Sequence, residues 1–321
     1  MKFLVVGGCG YLGTHLVNEL IKRKLEIVVF DDLSGSIKSK FSQPVLSLRG
    51  SILNYRDLLG LSNLGPFDGV FHLAAKKSVS ESMANPNLYW GVNFKGTRNL
   101  LEFCLEENIP NFVFTSSAAV YGASTGEKTD EFQPINPLNT YGETKAAAES
   151  MLISSSNESP ISTISLRTFN LGGASQPQFF DKSAENVLPV IMRCLLQEKI
   201  FKIYGNNFET RDGTCIRDYI NVADVVKAHW LAMEFLLKTR VGFNTVVNVA
   251  SGTGTSVLEL VQYTQMLSGL KLNWKFEIAR DGDMGVSVGD NSRAKSLLRW
   301  SPTIDIHQIV KETIKAYEIM V

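Results

Sequence analysis

The sequence is poor in cysteine, in excess charge of either sign and in long apolar runs, and each shortage removes a class of protein. Its four cysteines, Cys9, Cys104, Cys194 and Cys215, are scattered through 321 residues. None lies close enough to another to form a metal-ligand or redox pair, and four are too few for a disulfide framework. They are expected to be reduced and mostly buried, and no metal is expected. Lys plus Arg and Asp plus Glu number 32 each. That balance argues against nucleic acid as a main partner, because phosphate backbones select basic surfaces. Local basic sites for a small anion stay open. No apolar stretch reaches the length of a membrane span, and residues 1–6 read as a strand rather than as part of an export signal. A cytoplasmic protein with no membrane partner is expected. No internal repeat, low-complexity tract or flexible linker interrupts the chain.

What is present is alternation. KFLVV (2–6), LEIVVF (25–30), VLSL (45–48), DGVFHLA (68–74), NFVFTSS (111–117) and STISLR (162–167) read as strands. Between them lie helical patterns through Lys24, around 54–62, from Pro86 to about Asn108, and over 140–156. Near-continuous apolar strands separated by helices predict a parallel sheet covered on both faces. The fold class expected is α/β, a doubly wound Rossmann sheet. After Arg167 the rhythm breaks into a loop-like stretch over 170–186. Helices are expected at 187–198, 222–238, 256–268 and the C-terminus, with strands at 201–204, 245–250 and 274–279. The expected division is a dinucleotide-binding domain over 1–170, with a returning segment near 219–250, and a smaller α/β substrate domain over 171–321.

GGCGYLG (7–13) falls at the first strand–helix junction. Gly7 suits a tight turn, Gly10 admits a pyrophosphate to the backbone, and Gly13 permits close packing of the helix on the sheet. An anion would rest on the helix N-terminus. The second strand ends in Asp31-Asp32, and Asp31 stands 18 residues after Gly13. An acid at that tip accepts from a ribose 2′-OH and repels a 2′-phosphate, which selects NAD over NADP.

The fifth strand ends in TSSAAVYG (115–122), placing Ser116 and Ser117 at the ligand edge of the sheet. Tyr141 and Lys145 lie one helical turn apart, on one face. Alone, a Tyr-x-x-x-Lys pair is most often a solvated helix face; the dinucleotide loop and the strand-end serines change that. A phenol with a pKa near 10 is a poor base at neutral pH. A nearby ammonium, and a cationic nicotinamide, would lower it. The phenolate would then take a proton from a substrate hydroxyl held by Ser117 while hydride leaves the same carbon.

With these residues in view, the chain resembles the extended short-chain dehydrogenase/reductase superfamily, and within it the UDP-glucose (UDP-galactose) 4-epimerase family. The resemblance rests on GGCGYLG, FDDLS, HLAAKKSVSES, TSSAAVYG, PLNTYGETK, LRTFNLGGA, DGTCIRDYINVAD and the DGD segment at 281–283. It implies that Ser117, Tyr141 and Lys145 are catalytic and that NAD stays bound. The NAD site it implies comprises Gly7, Gly10, Tyr11, Leu12, Gly13, Asp31, Asp32, Ser51, Ile52, Leu73, Ala74, Ala75, Lys77, Asn93, Ser116 and Phe169, besides Tyr141 and Lys145. The sugar-nucleotide site it implies adds Asn170, Asn186, Val187, Lys202, Tyr204, Arg217, Tyr219, Arg280, Asp283 and Ser287 to Lys77, Ser117 and Tyr141. The reaction implied is inversion at C4 of a UDP-hexose through a transient 4-keto sugar. A homodimer formed by helices near 86–108 and 140–156 is also implied.

Four departures qualify the resemblance, one of them the loop 172–186, which the resemblance sets beside the sugar. Ser51 stands where the family usually has an aspartate contacting adenine. Thr168 replaces a tyrosine. Ser287 stands at a position where tyrosine restricts the family to glucose and galactose and small residues admit N-acetylhexosamines. A 4,6-dehydratase would need an Asp-Glu pair where Ser116-Ser117 stand. A uronate epimerase or decarboxylase, and a non-catalytic NAD sensor, are the remaining alternatives.

Overall fold

The computed structural model describes residues 1–35, 41–123, 128–181, 186–280 and 282–318. Six of its strands run β1 Lys2–Val6, β2 Glu26–Asp31, β3 Leu46–Arg49, β4 Gly69–His72, β5 Asn111–Ser117 and β6 Ser162–Thr168. The other seven are β7 Asn170–Gly172, β8 Phe201–Tyr204, β9 Ile216–Asn221, β10 Asn244–Val249, β11 Gly254–Ser256, β12 Trp274–Glu277 and β13 Val286–Ser287. The main sheet has the order β10-β6-β5-β4-β1-β2-β3, every pair parallel. This is the doubly wound α/β sheet that the alternating pattern predicts. Its strand order reverses between β1 and β4, and that switch point opens a crevice beyond the strand C-termini.

The strands are apolar on both faces because both faces are covered. Phe3 and Val5 belong to one core cluster and Leu4 and Val6 to another, as period-two geometry requires. Helices Tyr11–Lys22 and Val222–Leu236 close the first face, and helices Gly96–Glu106 and Thr140–Glu158 the second. A third cluster, including Leu188, Ile191, Ile203, Leu260 and Ile309, fills the second half of the chain.

The segment expected as one helix from Pro86 to about Asn108 is more elaborate. Pro86–Tyr89 leads into a π-helical turn, Trp90–Lys95, before the α-helix Gly96–Glu106. A π-turn re-aims one side chain, and here that side chain is Asn93. The expected loop over 170–186 contains β7 and a short helical turn, Pro177–Phe179. The C-terminal helix is Ile306–Glu318; the final three residues of the expected helix lie outside the described residues.

Among the described residues no helix is long and apolar enough to cross a membrane, and no cluster of His, Cys, Asp or Glu could hold a metal. Cys9, Cys104 and Cys215 are buried free thiols, and Cys194 is a partly exposed one.

Three of the four histidines sit inside the fold with little or no exposure: His15, His72 and His229. Burial lowers their pKa values, to about 4, about 3 and about 4 respectively. The unfolded value is about 6.5, so below that pH the unfolded chain takes up protons that the folded chain refuses. The stability from these groups is present above pH 6.5 and is lost as pH falls toward 4. Three such groups give a slope approaching about 4 kcal/mol per pH unit near pH 5. The urea unfolding midpoint is therefore expected to fall steeply between pH 7 and 5, and less steeply in His229→Gln. A flat profile would contradict neutral burial.

Candidate active site

The glycine turn after β1 is built by close contacts. Gly7 has φ +85°, and a Cβ on it would meet the Ala74 backbone N at 2.5 Å. The turn is thereby pressed against Leu73 and Ala74, whose N–H groups both donate to the Val6 carbonyl. Ala75 continues the same segment. A Cβ on Gly13 would lie 2.1 Å from the Gly7 carbonyl oxygen. Gly13 therefore packs the helix on the glycine turn itself rather than on the sheet. Gly10 caps the first helix with no side-chain bond, and a Cβ there would meet nothing nearer than the Gly7 carbonyl at 3.5 Å. Thr14 is the first residue of this helix whose N–H reaches a carbonyl, that of Gly10. The N–H groups of Tyr11, Leu12 and Gly13 face forward. An uncapped helix start behind open space suits a pyrophosphate, and the residues present fit a dinucleotide.

Other expected cofactor residues brace this cradle. Asp31 accepts from the N–H groups of Cys9 and Leu33, each at 2.8 Å. Burial raises its pKa, those two bonds lower it, and neighbouring Asp32 raises it. Asp32 accepts from the Ser34 N–H. Ser51 N–H donates to Asp57, and the Ser51 hydroxyl accepts from Leu53 N–H. The following Ile52 is buried, with its carbonyl accepting from Asn99. Asn93 is 1% exposed. Its amide accepts from Lys76 N–H at 2.8 Å and donates to the Lys76 carbonyl at 3.0 Å and to Thr144 Oγ1 at 3.2 Å. It positions the Lys77 segment from within.

The reacting group sits where β5 meets the helix Thr140–Glu158. Asn139 caps that helix through Gly142 N–H. Gly142 is a poor helix former, but a Cβ on it would lie 2.4 Å from the Ala119 carbonyl oxygen. Glycine lets the helix rest directly on the turn that follows Ser117. This sets Ser117, whose hydroxyl accepts from Ala119 N–H at 3.2 Å, beside the Tyr141 phenol. Lys145 is 3% exposed, donates to the Thr115 carbonyl at 2.8 Å and lies 4.7 Å from the Phe114 ring centroid.

The electrostatics differ from the sequence expectation. Burial raises the Tyr141 pKa, and the Ser117 contact offsets this only in part. Burial lowers Lys145 to about 7, with Glu149 opposing. The ammonium points at a carbonyl, so in the chain alone it does not activate the phenol. Ser116 also departs. It is 1% exposed and donates inward to Glu149 at 2.5 Å, away from the crevice. Phe169 packs beneath the site against Gly289.

The second half brings several expected substrate residues together. β13 pairs with β9 in a register that sets Ser287 beside Arg217. Arg217 donates to the Met284 carbonyl at 2.7 Å and lies 3.9 Å from Asp283. Arg280 stacks on Tyr204 at 3.8 Å from the ring centroid. Lys202, next along β8, pairs with Glu277. Asn170, beside Tyr219 in register, donates to the Asp218 carbonyl. Tyr219 and Val187 lie in or against the third core cluster rather than on an open wall. Asp281, of the DGD segment, lies outside the described residues.

Across the crevice, Lys77 reaches Asp181 at 3.3 Å, and Asn186 donates to the same carboxylate. Tyr11 donates to the Gly173 carbonyl at 2.6 Å. Sequence reading passed over Asp181 and Asp218. Asp218, without exposure, accepts from Ser251 N–H and Oγ, Gly252 N–H and Gly289 N–H, tying two loops to β9. It lies inside DGTCIRDYINVAD, where a charged residue in an otherwise strand-like run is its signal.

A switch-point glycine turn, a strand-end serine and a Tyr-Lys pair on one helix face define a Rossmann protein of the short-chain dehydrogenase/reductase kind. Residues 3–250 match the NAD dependent epimerase/dehydratase family, and the chain belongs to that family. It is 32% identical to the UDP-glucose 4-epimerase of Lactobacillus helveticus, over 98% of this chain and 95% of that one. It superposes with TM-score 0.94 on a UDP-glucose 4-epimerase from Stenotrophomonas maltophila with bound NAD and formylated UDP-arabinopyranose. That match has 30% identity and covers 100% of this chain and 98% of the other. A UDP-Glc/GlcNAc 4-epimerase from Campylobacter jejuni gives 0.86 at 31% identity, over 100% and 99% of the two chains.

Gly142→Ala tests the central contact. The added methyl must push Tyr141 off Ser117, and a misplacement near 1 Å costs roughly a hundredfold in turnover. Loss of turnover with retained cofactor is expected. Unchanged turnover would show that the close approach is unimportant.

Proposed function

We propose that the protein inverts C4 of a UDP-hexose with NAD, taking UDP-glucose and UDP-galactose, and N-acetylated hexoses where Ser287 leaves room. The observation that carries this is the Ser117–Tyr141 contact at the end of β5, with Lys145 fixed one turn further on. Ser117 holds O4 of the sugar, and the Tyr141 oxygen receives its proton and later returns it. Lys145, once turned from the Thr115 carbonyl, supplies positive charge to the phenolate. The Gly7–Gly10–Gly13 turn, Asp31 and the segments braced by Asn93 hold the dinucleotide. NAD, when bound, supplies the acceptor and then the donor of hydride, so the reaction has no net redox change. Arg217 and Arg280 grip the diphosphate and Asp283 takes the uridine ribose, which leaves the hexose free to turn over between the two proton transfers. Dehydration lacks its acid/base pair, since Ser116 and Ser117 stand where an Asp-Glu pair would be needed.

The division expected from sequence, 1–170 with a return near 219–250 and then 171–321, accords with β10 joining the first sheet. Helices 86–106 and Thr140–Glu158 form the dimer face in this reading, and Leu88 and Trp90 on the first are each 38% exposed. The free, mostly buried cysteines accord with a cytoplasmic site.

The test is incubation of purified protein, without added NAD, with UDP-galactose, UDP-N-acetylgalactosamine or UDP-glucuronate, followed by separation of products. Inversion of UDP-galactose at C4 is expected. No change at C4 in any of them would end the proposal, and turnover of UDP-glucuronate alone would favour a uronate enzyme. Tyr141→Phe is expected to keep NAD bound while turnover falls by about three orders of magnitude or more. Near-normal turnover would remove Tyr141 from its role.

A further inference from the structure

Behind the reacting group lies a buried charge network that the chemistry above does not use. The side chains of Glu149 and Arg167 are 4% and 5% exposed. Arg167 Nε donates to the two carboxylate oxygens at 3.1 and 3.2 Å, and Nη2 donates at 2.7 Å. Ser116, immediately before Ser117, donates to the same carboxylate, and Thr168 Oγ1 donates to the Ser116 carbonyl at 3.1 Å. Tyr121 lies over the guanidinium at 4.7 Å from its ring centroid. Glu149 thus fastens β5 and β6 to the tyrosine helix, one turn below Lys145.

The charged and titratable groups facing Lys145 are few. Its own helix presents Tyr141 and Glu149. β5 presents the Thr115 carbonyl and the Phe114 ring. β4 presents His72, kept neutral by burial, and β6 holds Arg167, which is turned to Glu149 and Tyr121. Glu149 alone among them is negative. A buried ammonium without a counter-charge is costly.

We propose that Glu149 is a positioning residue for the reaction: it locks the end of β5 to the tyrosine helix and supplies the counter-charge that keeps Lys145 an ammonium. This deepens the epimerase reading and rests on it. The opposing effects of burial and Glu149 on Lys145 are in line with it. Arg167 completes the arrangement. Burial pulls its pKa down, and its contacts with Glu149 and Tyr121 more than restore it, so Glu149 is itself never left unpaired.

The test compares the pH dependence of kcat, from pH 6 to 10, in the NAD-loaded protein turning over UDP-galactose. Lys145 loses its proton as pH rises, so turnover falls on the alkaline side. Glu149→Gln is expected to move that fall to lower pH by about a unit, a tenfold loss on the limb, with a smaller change on the acid plateau. Glu149→Asp keeps the charge and is expected to restore the limb. If Glu149→Gln does not fold, Arg167→Gln carries the test, since releasing the Glu149 charge from its partner is expected to move the limb to higher pH. An alkaline limb that stays in place, with turnover lowered evenly at all pH values, would overturn the proposal. Absence of turnover in the unaltered protein would overturn the functional reading instead.

Discussion

The tyrosine helix touches the end of β5 with no side chain between them, and the site depends on that contact. Gly142 against the Ala119 carbonyl is the point of approach. It carries Tyr141 to Ser117 and drives Lys145 under the sheet edge to the Thr115 carbonyl. The approach has an electrostatic consequence. Closeness buries the phenol and the ammonium, and burial disfavours the charged form of each. The resting protein therefore holds a neutral phenol beside an ammonium whose charge is only weakly favoured.

The dinucleotide end follows a different logic. What it offers an anion is backbone, the N–H groups of Tyr11, Leu12 and Gly13 at an uncapped helix start. Its polar side chains mostly hold that backbone in place. Asp31 is bonded to two loop amides, and Asn93 spends both ends of its amide on Lys76 and Thr144. Asp31 keeps lone pairs free for a ribose hydroxyl, whereas Asn93, almost without exposure, acts through the segment it clamps. The π-turn at Trp90–Lys95 is what swings Asn93 into that position.

Most of the main sheet was legible in the sequence because its strands are apolar on both faces, and the helices between them follow from periodicity. The glycine turn, the strand-end serine and the Tyr-Lys pair were legible because their chemistry fixes residue type and spacing. β9 escaped notice as a strand because Arg217, Asp218 and Asn221 break the apolar run that marks a strand. Each has a tertiary purpose: Arg217 bonds the Met284 carbonyl, Asp218 ties two loops to the strand, and Asn221 donates to Glu312. Gly142 lies within PLNTYGETK with nothing to mark its role, since a close approach between distant segments leaves no local trace. Ser116 was placed at the crevice by its position at the strand end. Period two sends neighbouring side chains to opposite sides, and Glu149 and Arg167 were waiting on the inner one.

The same contrast between inner and outer pairs decides which cations remain available to a ligand. Lys77, Lys202 and Arg217 each face a carboxylate, from Asp181, Glu277 and Asp283, at 3.3, 3.3 and 3.9 Å. The two lysine side chains are about half exposed and Arg217 is 18% exposed. Exposed pairs such as Lys202 with Glu277 contribute about 0–1 kcal/mol, so an anion that offers several acceptors would displace them at little cost. Arg167 grips Glu149 through three short bonds at 5% exposure. Breaking such a pair strands a buried charge, at a cost of roughly 3–5 kcal/mol. A chain with no net charge can therefore still offer cations to an anionic ligand, because its exposed pairs are weak enough to exchange and its buried pair is not.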